Sequence, residues 1–357
     1  MRLIHCGDLH LDSRMEANLS AAQARERKAE LLHTFARLVK LAREQKVDGV
    51  LIAGDLFDSR RVSAQTAGLV LDIMEQAADV EFFYLRGNHD ESRDLFGGRQ
   101  LPENVKTFGK EWTYYRRGDV IIAGLELNRE NWNAMYDSLE LPPDTANIVL
   151  LHGQDSAQPG EERIAIPRLR ERHIDYLALG HIHSYRKAKL DNRGVWAYCG
   201  CLEGRGFDEC GEKGFVVLDI QPGRVKTAFV PFAARQLREV VVDISDCVTI
   251  TQLQAALEAA SAQISPESLV KFTLVGTYTP ETQKDLTYLS GILSRRFWFV
   301  KIKDDSRFRV ERGTYEHDAS LKGAFIRLVM ASDRSENDKA RIICAGLRAL
   351  AGEEVVL

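Results

Sequence analysis

The chain contains 357 residues with a formal net charge of −4, and 45% of its residues are apolar and 28% charged. These values are typical of a soluble globular protein and exclude a globally disordered chain, a collagen and a coiled coil. The length predicts two domains, at roughly 100–200 residues per domain, and the slightly acidic charge argues against a polycation that coats DNA generally.

No apolar run approaches the ~18 residues that cross a bilayer, and Asp8 comes too early for the apolar stretch of a signal peptide. We therefore expect a cytoplasmic protein that does not contact a membrane. The cysteines have no spacing typical of a disulfide framework, so we expect them to be reduced.

Residues 1–232 alternate short apolar runs with helical patterns. The strands that these runs predict are Leu3–Cys6, Gly49–Ala53, Val80–Leu85, Val120–Leu125, Ile148–Leu151 and Tyr176–Leu179. Apolar residues at helical spacing predict helices over Ser20–Gln45 and Ala64–Ala78. This alternation predicts an α/β fold whose sheet is at least partly parallel.

Three further strand-like runs follow Asp175, at Val195–Cys199, Phe215–Ile220 and Val225–Val230. Because Gly-rich or charged turns separate them, we expect these runs to be antiparallel. A hairpin turn is predicted at Gln221-Pro222-Gly223.

A second region begins near Arg235. It is predicted to contain a strand at 240–244, a helix at 251–262, a strand at 270–275 and helices at about 319–331 and 337–350. Between them, Thr279 is the predicted N-cap of another helix, with Pro280 in its first position and Glu281 in its first turn.

Five short polar motifs follow predicted strands. They are Gly7-Asp8-Leu9-His10, Gly54-Asp55-Leu56-Phe57-Asp58, Gly87-Asn88-His89-Asp90, Leu151-His152-Gly153 and Gly180-His181-Ile182-His183. Ligands of open α/β sheets bind beyond the carboxyl ends of the strands, so we expect these motifs to meet at one edge. Five of the nine histidines lie in them.

The residue types in these motifs indicate a metal site. Carboxylate oxygens, an amide oxygen and imidazoles suit Mn²⁺, Fe²⁺ or Zn²⁺, and the lack of thiolates argues against a structural zinc. Each motif alone has another explanation: Asp-x-His is a weak signal, Asn-His is common in surface turns, and His152 alone would fit a core histidine. All five together favour a two-metal site.

The ordered motifs resemble those of the calcineurin-like metallophosphoesterases, over about residues 1–232. Three segments are similar to DNA-repair exonucleases of the SbcD type and their YhaO-like relatives, which are bacterial relatives of the Mre-type repair nucleases: His10–Asp12, Gly54–Asp58 and Asp175–His183. Tyr198–Gly214 is similar to a segment of the YhaO-like branch.

That last segment departs from the branch at three positions. Cys199, Leu202 and Glu203 stand where the branch has Pro, Pro and Gln. The departures leave open which substrate contacts this loop makes.

The resemblance implies a fold and a domain organisation. The fold is an α/β, four-layer αββα sandwich of two mixed sheets. Residues 1–235 would form the nuclease domain, and residues 236–357 a smaller α/β capping domain with C-terminal helices.

The resemblance also implies roles for the motif residues. A first metal would be held by Asp8, His10, Asp55 and His183, and a second by Asp55, Asn88, His152 and His181. His89 would be the general acid, oriented by Asp58, although Asp58 also fits a helix N-terminal acid. The metals would be two divalent ions, with Mn first and Fe or Zn as alternatives.

Several basic residues are candidates for nucleic-acid contacts. Arg86 and Arg93 bracket the Gly-Asn-His-Asp turn, and Arg205 lies in the YhaO-like segment. Each of the three is a candidate phosphate ligand. Arg86 and Arg93 equally fit surface ion pairs. Residues 161–193 contain eight basic against five acidic residues. Residues 294–312 contain seven basic against three acidic residues, interleaved with Phe297, Trp298, Phe299 and Phe308. This pattern suits binding of single-stranded nucleic acid, but it also fits an amphipathic β-strand.

The resemblance implies a Mn-dependent DNA exonuclease or endonuclease that acts in DNA repair with an SMC-like ATPase. The last helices are a candidate docking element for this partner, although their apolar pattern also fits helices packed onto their own domain. The alternatives are a small-molecule or cyclic-nucleotide phosphodiesterase on the same scaffold, and a weakly active, DNA-bound scaffold subunit. A homodimer through the Ala64–Ala78 helix is a further expectation.

Overall fold

The computed structural model describes residues 1–15, 19–58, 62–90, 95–221, 223–279, 282–309, 313, 315–350 and 352. The chain forms two compact units, Met1–Gln236 and Leu237–Leu357. None of the helices within the described ranges is long and apolar enough to cross a membrane.

Strands and helices occur in both units. In chain order the strands are β1 (Arg2–Cys6), β2 (Gly49–Ala53), β3 (Glu81–Leu85), β4 (Val105–Thr107), β5 (Thr113–Arg117), β6 (Val120–Gly124), β7 (Ala146–His152), β8 (Gln154–Asp155), β9 (Arg163–Ile164), β10 (Tyr176–Gly180), β11 (Arg186–Lys189), β12 (Val195–Tyr198), β13 (Gly214–Gln221), β14 (Arg224–Pro231), β15 (Leu237–Asp243), β16 (Leu269–Val275), β17 (Thr277–Tyr278), β18 (Phe299–Asp304) and β19 (Arg307–Phe308). The helices are α1 (Ala21–Glu44), α2 (Ala64–Glu75), α3 (Met135–Ser138), α4 (Ile250–Ala260), α5 (Leu286–Leu293), α6 (Leu321–Met330) and α7 (Glu336–Leu350).

The first unit contains two six-stranded sheets, both mixed. One has the order β14-β13-β1-β2-β3-β4, in which β1 to β4 are parallel and β13 is antiparallel to both neighbours. The other has the order β11-β12-β10-β7-β6-β5, in which only the edge strands are antiparallel. The predicted α/β fold with two mixed sheets is confirmed.

One strand prediction is wrong. The runs at Val195–Cys199, Phe215–Ile220 and Val225–Val230 were expected to form one antiparallel stretch, but β12 lies in a different sheet from β13 and β14. There it is antiparallel to β11 and parallel to β10. The hairpin of β13 and β14 does form, with Gln221 paired to Arg224; Pro222 lies outside the described residues.

Apolar side chains bury both faces of these sheets. Between the sheets, Phe83 of the first packs in one core with Ile148 and Ala178 of the second. Helices α1 and α2 cover the outer face of the first sheet through side chains such as Phe35 and Val70. The short α3 and the turn that follows β9 cover the outer face of the second sheet. Burial of each such apolar side chain stabilises the fold by about 1.5–3 kcal/mol.

The second unit is built on a parallel sheet of order β15-β16-β18. Leu253 and Leu257 of α4 and Leu289 of α5 pack in one core with residues of this sheet. The predicted cap of α5 is wrong, because the N-cap is Asp285, whose side chain accepts from the backbone N–H of Tyr288 at 2.9 Å. Pro280 and Glu281, which that prediction used, lie outside the described residues.

Candidate metal centre

The five polar motifs converge at the carboxyl ends of β1, β2, β3, β7 and β10. The carboxylate of Asp8 accepts the backbone N–H of His181 at 2.8 and 3.0 Å. His152 Nε2 lies 3.0 Å from Asn88 Oδ1, across the two sheets. The structure thus brings together all the side chains that the sequence suggests as metal ligands.

Several of these residues have a left-handed backbone. The φ angle is 49° at Asp8, 45° at His10, 51° at Asp55 and 101° at His181. Such angles cost about 1–3 kcal/mol each for residues other than glycine and concentrate at functional sites. Hydrogen bonds hold them in place: the Asp8 N–H donates to the Gly54 carbonyl and the His10 N–H to the Asp55 carbonyl, each at 3.0 Å.

Two glycines allow the strand ends to approach closely. A Cβ atom on Gly180 would lie 1.7 Å from the carbonyl oxygen of Ala53, and one on Gly87 would lie 2.2 Å from Asp55 Oδ1. Any side chain at these positions would therefore displace the loops that carry the acidic ligands.

A first group of donor atoms comes from Asp8, His10 and His183, which lie within 4.8 Å of one another. The Nε2 atoms of His10 and His183 face each other at 3.1 Å. Two imidazole nitrogens this close need a proton or a cation between them.

A second group comes from Asp8, Asp55 and His152. Asp55 Oδ2 lies 3.4 Å from His152 Nε2 and 3.7 Å from His10 Nε2, so this carboxylate stands between the two groups. The ring of His181 lies 5.3 Å from that of His152, measured between centroids.

Charge and burial at this place favour a cation. Asp8 and Asp55 are almost fully buried, and burial raises the pKa of Asp8. Burial lowers the pKa of His152, but the hydrogen bond and charge of Asp55 outweigh it and raise that pKa to about 9. The carboxylate, amide and imidazole donors fit Mn²⁺, Fe²⁺ or Zn²⁺, so the residues present suit a divalent metal.

The Nδ1 atoms of two imidazoles have hydrogen-bond acceptors behind them, and a third has a carboxylate at ion-pair distance. His152 Nδ1 donates to the Ala53 carbonyl at 2.9 Å, and His183 Nδ1 to Glu209 Oε1 at 2.6 Å. His10 Nδ1 lies 3.1 Å from Asp58 Oδ1. These acceptors turn each Nε2 towards the centre, as is usual for metal-binding histidines.

His89 lies at the exposed rim of this site. Its ring is 5.0 Å from that of His10 between centroids, and its backbone N–H donates to Asp55 Oδ1 at 2.9 Å. The expected partner of its ring was the Asp58 carboxylate, but the structure places the backbone carbonyl of Asp58 at 3.0 Å from His89 Nδ1. The Asp58 carboxylate instead binds Arg205, at 2.6 Å.

The three candidate phosphate ligands have different surroundings. Arg86 makes two hydrogen bonds to Glu126, at 2.7 and 2.6 Å, so it forms the surface ion pair that the sequence left open. Arg205 lies beside the first donor group, between Asp58 and Glu209. Arg93 lies outside the described residues.

Three residues that were not predicted from the sequence support the site. Glu209 orients His183, and Lys213 Nζ donates to the His183 carbonyl at 2.5 Å. Asp90 accepts backbone N–H groups from both Leu56 and Gly87, at 3.0 and 3.2 Å, and so joins the loops after β2 and β3. The signal was present, because Asp90 ends the Gly-Asn-His-Asp motif and Glu209 lies in the YhaO-like segment.

Comparisons with known proteins identify a family and several similar proteins. Residues 1–185 match the sequence family described as calcineurin-like phosphoesterase. The chain is 25% identical over 297 residues to the uncharacterized metallophosphoesterase YhaO of Bacillus subtilis, covering 78% of this chain and 72% of that protein.

Two archaeal proteins named DNA double-strand break repair protein Mre11 are also similar. The one from Sulfurisphaera tokodaii is 28% identical over 204 residues, covering 53% of this chain and 51% of that protein. The one from Saccharolobus solfataricus is 21% identical, covering 100% of this chain and 97% of that protein.

Proposed function

The chain belongs to the calcineurin-like phosphoesterase family, whose members use divalent metal ions, and we propose that it is a two-metal, Mn-dependent nuclease that hydrolyses phosphodiester bonds in DNA. The observation that carries this proposal is the convergence of two donor groups around Asp55, with His89 at their exposed rim. The DNA-repair names of the Mre11 relatives support DNA as the substrate.

In this proposal one metal lies at each donor group; Asp8, which belongs to both groups, is assigned to the first metal, and neighbouring side chains complete each set of ligands. Asp8, His10, Asp55 and His183 bind the first ion, and Asp55, Asn88, His152 and His181 bind the second. When bound, two such ions activate a water and neutralise the charge that develops on the phosphate.

His89 supplies the proton that the leaving group needs. The Asp58 carbonyl can only accept, so His89 Nδ1 donates to it, and in the imidazolium form the ring carries a second proton on Nε2, which is the catalytic one. As the oxygen of the attacking water bonds to phosphorus and the P–O bond to the sugar breaks, this second proton moves from Nε2 to the sugar oxygen, which leaves as a hydroxyl group. The exposed position of the ring gives it access to a bound strand.

Strand β11 offers a surface for the DNA backbone. Arg186, Lys187 and Lys189, here called the β11 cations, are exposed, and no carboxylate among the described residues pairs with them. Other arginines of the 161–193 run are already paired, as Arg193 is with Asp175 at 2.9 Å. Because β11 begins three residues after His183, we propose that its cations hold phosphates near the site.

The basic run at residues 294–312 supports DNA contacts less than the β11 cations do. Phe297 is buried in the core of the second unit. Arg296 donates to the Ser261 carbonyl at 2.9 Å, and Lys303 pairs with Asp305 at 2.7 Å. These contacts favour the amphipathic-strand interpretation of this run.

The proposal extends to an SMC-like ATPase partner. Leu321 and Leu328 of α6, seven residues apart on one helix face, are 71% and 74% exposed. Val329 of the same helix is buried. In the proposed homodimer through α2, the exposed Leu69 would supply the apolar contact between the two copies.

A Mn²⁺-dependent turnover assay tests the nuclease proposal. The substrates are 3′-labelled duplex DNA, single-stranded DNA and bis-p-nitrophenyl phosphate, and the variants are Asp55→Asn and His89→Ala. His33→Ala is the matched control, because His33 is an exposed histidine on α1. We expect cleavage of DNA and of the small diester, loss of both in Asp55→Asn, and a DNA-cleavage defect in His89→Ala that His33→Ala lacks.

Other outcomes contradict the proposal. If the chain hydrolyses the small diester but cleaves no DNA, either alone or with an ATPase partner, the result favours a small-molecule phosphodiesterase. DNA binding without any turnover favours a scaffold subunit.

A further inference from the structure

We propose that Arg205 is a positioning residue that holds both imidazoles of the first donor group through two carboxylates. This inference rests on the proposed metal centre and deepens it. It replaces the sequence-based expectation that Arg205 binds substrate phosphate.

One arm of this arrangement runs through Glu209 to His183. Arg205 Nη2 donates to Glu209 Oε1 at 2.9 Å, and the Arg205 backbone N–H donates to Glu209 Oε2 at 2.7 Å. His183 Nδ1 donates to the same Oε1 atom at 2.6 Å. The guanidinium therefore fixes the acceptor that sets the orientation of the His183 ring.

The other arm runs through Asp58 to His10. Arg205 Nη1 donates to Asp58 Oδ1 at 2.6 Å, and His10 Nδ1 lies 3.1 Å from the same oxygen. The two arms end at the Nε2 atoms of His10 and His183, which face each other at 3.1 Å. One guanidinium thus holds both carboxylates that lie behind these two donor atoms: Glu209 hydrogen-bonds His183 Nδ1, and Asp58 lies at ion-pair distance from His10 Nδ1.

The shape and charge of arginine suit this role. A guanidinium is always charged and carries its donors in a rigid fork, so it can hold two carboxylates at once and offset their repulsion. Its Nε, Nη1 and Nη2 atoms all contact Asp58 or Glu209, and the side chain is only 20% exposed. Little of it remains to bind a phosphate.

The loop that carries Arg205 is itself anchored on α1. Arg27 Nη2 donates to the Gly204 carbonyl at 2.8 Å, and Thr34 Oγ1 donates to Glu203 at 2.7 Å. Arg27, Thr34 and Glu203 are all buried. Glu203, which departs from the YhaO-like pattern, therefore binds α1, and the loop presents Arg205 from a rigid support.

Mn²⁺ binding to the whole chain, measured by calorimetry and by the EPR signal of free Mn²⁺ without DNA, tests the proposal. We expect two Mn²⁺ per wild-type chain, and in Arg205→Gln one of them bound roughly 10–100-fold more weakly, as when groups behind metal ligands are lost. Arg205→Lys keeps the charge but not the fork, so its loss should be smaller. Arg43→Gln is the matched control, because Arg43 forms an exposed ion pair with Asp79.

Steady-state kinetics with bis-p-nitrophenyl phosphate separate positioning from phosphate binding. Positioning predicts that excess Mn²⁺ restores the kcat of Arg205→Gln and that KM for the diester does not change. Wild-type Mn²⁺ binding in Arg205→Gln overturns the proposal, whether KM rises or stays the same.

A second variant covers a folding defect. If Arg205→Gln strongly lowers the Tm of the metal-free chain, Glu209→Gln is used instead. This variant keeps an acceptor for His183 Nδ1 but loses the charge that binds Arg205. We expect it to weaken the binding of one of the two Mn²⁺ ions in the same way. Wild-type Mn²⁺ binding in Glu209→Gln would contradict the proposal. A wild-type chain that binds two Mn²⁺ but cleaves no DNA would contradict the nuclease proposal alone.

Discussion

Replacing Gly180 by alanine adds one methyl group at the most crowded point of the metal centre. Gly180 ends β10, pairs with His152 of β7 and precedes His181. Its Cβ would lie 1.7 Å from the Ala53 carbonyl oxygen, and since real contacts stay above 3.0 Å, the backbone must move by about 1.3 Å. The same carbonyl accepts His152 Nδ1 at 2.9 Å, so the movement reaches a proposed ligand directly.

We expect this substitution to cost about 100-fold in turnover, the usual effect of a 1 Å misplacement at a reacting centre. Overpacking should also destabilise the fold by about 1–3 kcal/mol, which lowers Tm by roughly 2–4 °C per kcal/mol in a unit of this size. Mn²⁺ binding should weaken as well.

The measurements are turnover of bis-p-nitrophenyl phosphate, Mn²⁺ affinity and Tm. Gly109→Ala is the matched control, because a Cβ on Gly109 would meet no atom within 4 Å. Wild-type turnover and Mn²⁺ affinity in Gly180→Ala would refute the close packing of the strand ends on which the site depends.

Three other predictions concern stability, metal and DNA. Arg27→Met should cost about 3–5 kcal/mol in urea unfolding, because it leaves the buried Glu203 carboxylate without its cation; a loss as small as that of Arg43→Gln would contradict this. When free Mn²⁺ is at 100 times its Kd, removing it with EDTA should lower the free energy of unfolding by about 2.7 kcal/mol for each bound ion; an unchanged Tm in calorimetry would count against a metal centre. Replacing the three β11 cations by glutamine should reduce the slope of log K for DNA against log salt by about 2–3; a slope equal to that of the wild type would place the DNA elsewhere.

The sequence predicts well what depends on local pattern. Gly49–Ala53 is bounded correctly because an apolar run buried on both faces differs sharply from its flanks. The proposed ligands come together because each follows a strand, and parallel strands direct their carboxyl ends to one edge.

The sequence predicts less well what depends on distant pairing. Besides its antiparallel neighbour β11, β12 pairs with β10, which begins about twenty residues earlier in the chain, and no local pattern specifies that this second pair is parallel. The contact of Asp58 with Arg205 joins residues 147 positions apart. Arg205 was therefore expected to bind substrate, although its partners are carboxylates within the chain.

The central claim is that this chain holds two divalent ions that share Asp55. Anomalous diffraction from a crystal grown with Mn²⁺ tests it directly. We predict two Mn peaks, one beside His10 and His183 and one beside Asn88 and His152, with the Asp55 carboxylate contacting both. A single peak, or two peaks that do not share Asp55, would contradict the account.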